Sequence, residues 1–121
     1  MSRRLALLLV LTGAAALAAA PVGVGAGGAQ KRTVGVFDNY FTPTKLTVNR
    51  GSTVTWRWPD DGGDTHDVEL GSAPAGVRKW TSGPAAAAFD YRRKLTRPGL
   101  YKIVCTFHEE EMRMQIRVRR R

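Results

Sequence analysis

After residue 30 the apolar and polar residues alternate, and the period is two. In Val54-Thr55-Trp56-Arg57-Trp58 the large apolar side chains fall on one side and the polar ones on the other, as in a strand with one buried face. The same reading predicts strands over Thr33–Phe37 and over Lys45–Val48, the latter after Pro43, a residue suited to a strand start or edge. It predicts a short strand at His66–Leu70, with Val68 and Leu70 on one side. Further on, Phe89 and Tyr91 alternate with Asp90 and Arg92. Tyr101, Ile103 and Cys105 share a face opposite Lys102 and Val104, and Ile116 and Val118 lie opposite Gln115 and Arg117. Gly51-Ser52, the run Asp60–Asp64 and Pro98-Gly99 read as turns, and the small-residue stretch Gly71–Ala87 as irregular. No segment after residue 30 shows a helical period, and there is no internal repeat. Six to eight short strands separated by turns predict an all-β, two-sheet sandwich.

The first 29 residues follow different rules. Arg3 and Arg4 precede an apolar run, Leu5–Ala20, and small residues continue to Ala29. A basic start, a short apolar stretch and a small-residue exit form the pattern of a secretory signal peptide. A spanning helix needs about 20 apolar residues, and this run is shorter. The expected organisation is a leader over 1–29, with a retained anchor as the alternative, and one domain over 30–121. Export is therefore expected, to a periplasm, a cell surface or the medium.

With 121 residues the chain is too short for a doubly wound nucleotide-binding enzyme or a barrel of β/α units. A single cysteine excludes an intrachain disulfide and any four-cysteine metal site. In an exported protein an unpaired thiol oxidises or pairs with another chain unless something occupies it, so Cys105 calls for a partner, burial or a metal.

Cys105 and His108 stand as C-x2-H at the end of a predicted strand, Met112 follows four residues later, and His66 lies upstream. The set uses the only cysteine and both histidines of the chain. Thiolate, imidazole and thioether suit copper in both oxidation states, and two imidazoles with one thiolate and a long axial thioether define an electron-transfer site. Each residue alone has an ordinary explanation in burial or solvation. Three such coincidences within Cys105–Met112 favour the metal.

The flanking sequence resembles the cupredoxins, the plastocyanin- and amicyanin-like blue copper proteins, over roughly Phe37–Val118. Phe41–Trp56 looks like the family's opening strands, and His66 in Thr-His-Asp-Val matches its upstream ligand. Gly99-x-Tyr101-x3-Cys105-x2-His108-x3-Met112 matches its ligand loop, and the residues after Met112 resemble its closing strand. The resemblance implies a Greek-key sandwich and one type 1 copper ion. His66, Cys105 and His108 would be equatorial and Met112 axial, with His108 as the electron exit. Phe107 stands where many relatives have proline, Met114 where glycine is frequent, and Asp67 where asparagine is frequent. The His108–Met112 spacing lies between the amicyanin-like and plastocyanin-like loops, which makes Met114 a second axial candidate. Asp67 has two readings, a hydrogen bond to the backbone or hydroxyl of Thr106, or exposure to solvent.

Charge is uneven. Lys plus Arg number 19 and Asp plus Glu 10, for a net charge of +9. Eight of the acids lie within Trp58–Leu70 or Cys105–Met112, which hold no Lys or Arg; only Asp38 and Asp90 fall elsewhere, on what reads as a basic body. An acidic metal-bearing end is expected to steer a redox partner with a basic docking face. The basic body reads first as a solubility device. Membrane contact is expected only through an uncleaved N-terminus or weak attraction to an anionic surface. Nucleic acid is not an expected partner, since no base-stacking array is present. The expectation is a monomeric, non-enzymatic electron carrier. The alternatives are a Cu(I) carrier or storage protein using the same ligands, and a non-redox immunoglobulin-like module with a vacant site.

Overall fold

The computed structural model describes residues 14–16 and 27–121. The expected leader lies outside the described residues except for 14–16 and 27–29. Eight strands and no helix occur among the described residues. They are β1 (Lys31–Phe37), β2 (Tyr40–Thr42), β3 (Lys45–Asn49), β4 (Ser52–Arg57), β5 (Glu69–Ser72), β6 (Asp90–Leu95), β7 (Gly99–Val104) and β8 (Arg113–Arg119). The strands form two four-stranded sheets, in the orders β2-β1-β4-β6 and β3-β8-β7-β5. β1 lies parallel to β4 and β3 parallel to β8, and the remaining neighbours are antiparallel.

The alternation decides which face of each strand turns inward. Val34, Val36, Val54 and Trp56 of one sheet are buried against Leu46, Val48, Tyr101, Ile103, Ile116 and Val118 of the other. Trp56, Trp58, Tyr101 and Phe41 are the largest side chains withdrawn from water. Burying one large apolar side chain contributes about 1.5–3 kcal/mol. Every strand and this core lie within residues 31–119.

Strand direction defines two ends. β7 runs toward the end that bears Cys105, and β8 runs back from it to Arg119. Because β3 is parallel to β8, Lys45 lies near the Cys105 end and Asn49 at the other, opposite Arg119. In the second sheet β1 carries the chain from Lys31 at the far end to Phe37 at the Cys105 end.

The structure adds one strand to those the sequence predicts and departs from three local expectations. β2 forms a hairpin with β1 across the two-residue turn Asp38-Asn39, where Asn39 takes φ +70°. The expected strand His66–Leu70 enters its sheet only at Glu69; His66 instead pairs with Ala85, each backbone N–H donating to the other's carbonyl at 2.9 Å. The stretch Gly71–Ala87, read as irregular, thus supplies pairing partners along this edge, since Leu70 N–H also donates to Trp80 and Ser82 N–H to Val68. Phe89 precedes β6, is 37% exposed and meets Trp58 edge-on at 5.1 Å rather than facing the core with Tyr91.

At the start of β7, Gly99 holds φ +132°, and a Cβ there would stand 2.5 Å from Pro74 Cγ. Gly99→Ala should therefore destabilise the fold by about 1–3 kcal/mol, through strain and overpacking. A lower urea midpoint with an unchanged slope is the expected result.

Candidate metal centre

Cys105 leaves the end of β7 and Met112 precedes β8, so the pairing of these strands fixes both ends of the connecting loop. Cys105 N–H donates to the Met112 carbonyl at 3.0 Å. Within the loop His108 N–H donates to Cys105 at 3.2 Å and Met112 N–H to His108 at 2.9 Å. These bonds fold the loop into tight turns that set the His108 ring beside the Cys105 sulfur. His66 arrives from the edge segment paired with Ala85, its ring buried.

The three donors converge. Cys105 Sγ lies 3.8 Å from His66 Nδ1 and 3.7 Å from His108 Nδ1, and one ligand atom from each residue lies within 4.8 Å of the others. The centre of a triangle with two such sides and a third of up to 4.8 Å is roughly 2.2–2.4 Å from each corner, close to metal–nitrogen and metal–thiolate bond lengths. Two imidazoles and one thiolate are the donors of a blue-copper plane. The residues present therefore fit the ion. Met112 is fully buried at the same loop. Met114, the second axial candidate, is buried with its sulfur accepting the Trp56 indole N–H at 3.3 Å.

Burial pushes the Cys105 thiol up, opposed by the backbone N–H groups of Asp67, Phe107 and His108. Desolvation thus favours the neutral thiol. Asp67 takes the inward reading. It is buried, and its carboxylate accepts from the Thr106 backbone N–H at 2.6 Å and from the Thr106 hydroxyl. Its two bonds tie the His66 segment to the Cys105 loop.

Asp38 is the residue that sequence reasoning misplaced. It sits in the β1–β2 turn at the Cys105 end, not on the basic body. Its carboxylate accepts from His66 Nε2 at 2.9 Å and from the Asp64 backbone N–H at 2.9 Å. These bonds, the one from His66 foremost, hold its carboxyl below the usual range. Because an ionised carboxylate only accepts, His66 donates from Nε2, which in the neutral ring leaves the Nδ1 lone pair for the triangle. Gly63 makes room for the contact, since a Cβ there would stand 2.6 Å from Asp38 Oδ1. A two-residue turn between Phe37 and Tyr40 was the sequence signal that would have placed Asp38 at a strand end.

The family model for copper binding proteins, plastocyanin/azurin family, matches residues 30–119. A pseudoazurin from Sinorhizobium is similar at 25% identity with a TM-score of 0.61, over 74% of each chain. A reduced amicyanin mutant is similar at 25% identity and TM-score 0.64, over 74% of this chain and 82% of its own. A copper-containing nitrite reductase from Thermus scotoductus matches at 26% identity and TM-score 0.63, over 84% of this chain but 26% of its own. Among curated proteins no relative matches. With its model spanning all eight strands and the converging donors, the chain belongs to the plastocyanin/azurin family of copper-binding proteins.

Proposed function

We propose that this chain is an exported, single-domain electron carrier, with a leader over 1–29 and the working domain over 30–121. His66 and His108 would hold copper through Nδ1, Cys105 through its thiolate and Met112 through its thioether. The observation that carries this reading is the Cys105–His66–His108 triangle, sized for an ion at its centre. When bound, copper supplies a one-electron couple. The protein's own groups do the rest. Cys105 offers the anionic sulfur, and Asp38 and Asp67 hold the rings and loop in place, as outer partners of metal ligands do. Met112 is preferred to Met114 because the Met114 sulfur already accepts from Trp56. Four donors leave no open position for a substrate, which favours electron transfer over catalysis. His108 is only partly buried, and Phe107 beside it is 52% exposed, giving a contact point at the edge of the centre.

The acidic end supports a basic redox partner. Asp60, Asp61 and Asp64 precede His66 in its loop and Glu109, Glu110 and Glu111 follow His108 in the other, all exposed. Steering by exposed charges weakens as salt shortens the Debye length, about 8 Å at physiological strength.

The copper-loaded protein should show an intense visible charge-transfer band and the narrow copper hyperfine splitting of a thiolate-bound site in its EPR spectrum. Cys105→Ser should abolish the band. A colourless copper complex of the parent chain would overturn the reading. Asp38→Asn keeps an acceptor on His66 but removes its charge, so the reduction potential should rise by on the order of tens of millivolts in voltammetry; about 59 mV is a factor of ten for one electron. Replacing Glu109, Glu110 and Glu111 together by Gln should raise the potential too. It should also flatten the fall of the electron-transfer rate with ionic strength in stopped-flow mixing with a basic redox protein.

A further inference from the structure

The pole opposite the metal centre has a composition of its own. Strand register gathers Lys31 at the start of β1, Arg50 in the β3–β4 turn and Lys94 near the end of β6, beside Arg119–Arg121 at the end of β8. The turn is tied to the tail, for Arg50 N–H donates to the carbonyls of Arg119 at 2.9 Å and Arg121 at 3.1 Å. All six cationic side chains are exposed, and among the described residues none is in an ion pair. No acid shares this pole. Asp38 and the two acidic segments lie toward the metal end. There Glu69 is paired with Val104, the last residue of β7, and Asp90 is held by Arg57 at 3.1 Å. Charges dispersed for solubility alone do not need such separation.

The same pole receives the chain from its apolar leader. Gln30 is fixed there, its N–H donating to Ser52 Oγ at 2.8 Å and its carbonyl accepting from Thr53 N–H at 2.9 Å. The sequence thus leads from the apolar run Leu5–Ala20 into a cluster of unpaired cations. We propose that this cationic pole docks on an anionic lipid surface, with the metal end directed away from it. Charge complementarity selects the occupant. Basic clusters bind anionic leaflets within a Debye length. The acidic end is repelled by the same surface, so one field both attracts the molecule and orients it. His108 then remains open to a soluble partner. The docking needs no metal, and its failure would leave the copper reading untouched.

The test uses the chain from Gln30 onward, so that the leader contributes nothing, in sedimentation with phosphatidylcholine vesicles with and without phosphatidylglycerol. Binding is expected only to the anionic vesicles, and it should fall steeply with salt. Each cation near the surface is worth about fivefold in partitioning. Arg119→Gln, Arg120→Gln and Arg121→Gln combined should weaken binding about a hundredfold, and Lys31→Gln with Lys94→Gln about twentyfold. Lys45→Gln, Lys102→Gln and Arg113→Gln, which remove equal charge from the β3-β8-β7-β5 face nearer the metal end, should change it less than about fivefold. No binding to anionic vesicles at low salt, equal binding to neutral ones, or equal losses from the two triple variants would each overturn the proposal.

Discussion

The hydrogen bond from Cys105 N–H to the Met112 carbonyl is the constraint on which the centre depends. It extends the β7–β8 ladder one step past Val104 and Arg113 and closes the loop that carries the thiol, an imidazole and a thioether. Without it the Cys105–His108 distance is a property of a flexible loop. With it, that distance is set by two strands whose inward faces are buried in the core. His66 reaches the same point from the other side of β7, and the two bonds of Asp67 to Thr106 couple its position to the loop. The rigidity of a sandwich core is thereby transmitted to three donor atoms, which a site needs if its geometry is to stay fixed while its charge changes.

Electrostatics builds a second layer on this frame. Buried donors favour the neutral thiol, and a bound cation offsets that preference. Asp38 adds negative charge on the outer nitrogen of His66, and the acidic segments surround the centre with more. On the proposed reading these groups would stabilise the more positive oxidation state and attract basic partners. The far pole has the opposite sign, so the long axis of the sandwich is also an axis of charge. A solvated lysine costs little anywhere on a sheet face, so the clustering at the pole is the part that asks for a function.

Much of this was legible in the sequence because the period of two is a direct consequence of one-sided burial. Tyr101, Ile103 and Cys105 could be assigned to one face from spacing alone, and the meeting of Cys105 with His108 follows from their place at a strand end. Three features were hidden for physical reasons. β2 has three residues, too few to show a period. His66 pairs with Ala85 through backbone groups across a small-residue segment that carries no side-chain signal. The Asp38-Asn39 turn could have placed Asp38 at a strand end, but its contact with His66 spans 28 positions and leaves no local signal. Charge counted along the sequence assigned Asp38 to the basic body, whereas charge placed by register assigns it to the metal end.

Strand pairing arranges the donors before any ion arrives. Crystal structures of the metal-free and copper-loaded protein decide whether it does. The donor atoms of His66, Cys105 and His108 should move by less than about 0.5 Å between the two, with the bonds of Asp38 and Asp67 retained in both. A metal-free structure in which the Cys105–Met112 loop has opened and the three donors no longer share a centre would contradict it.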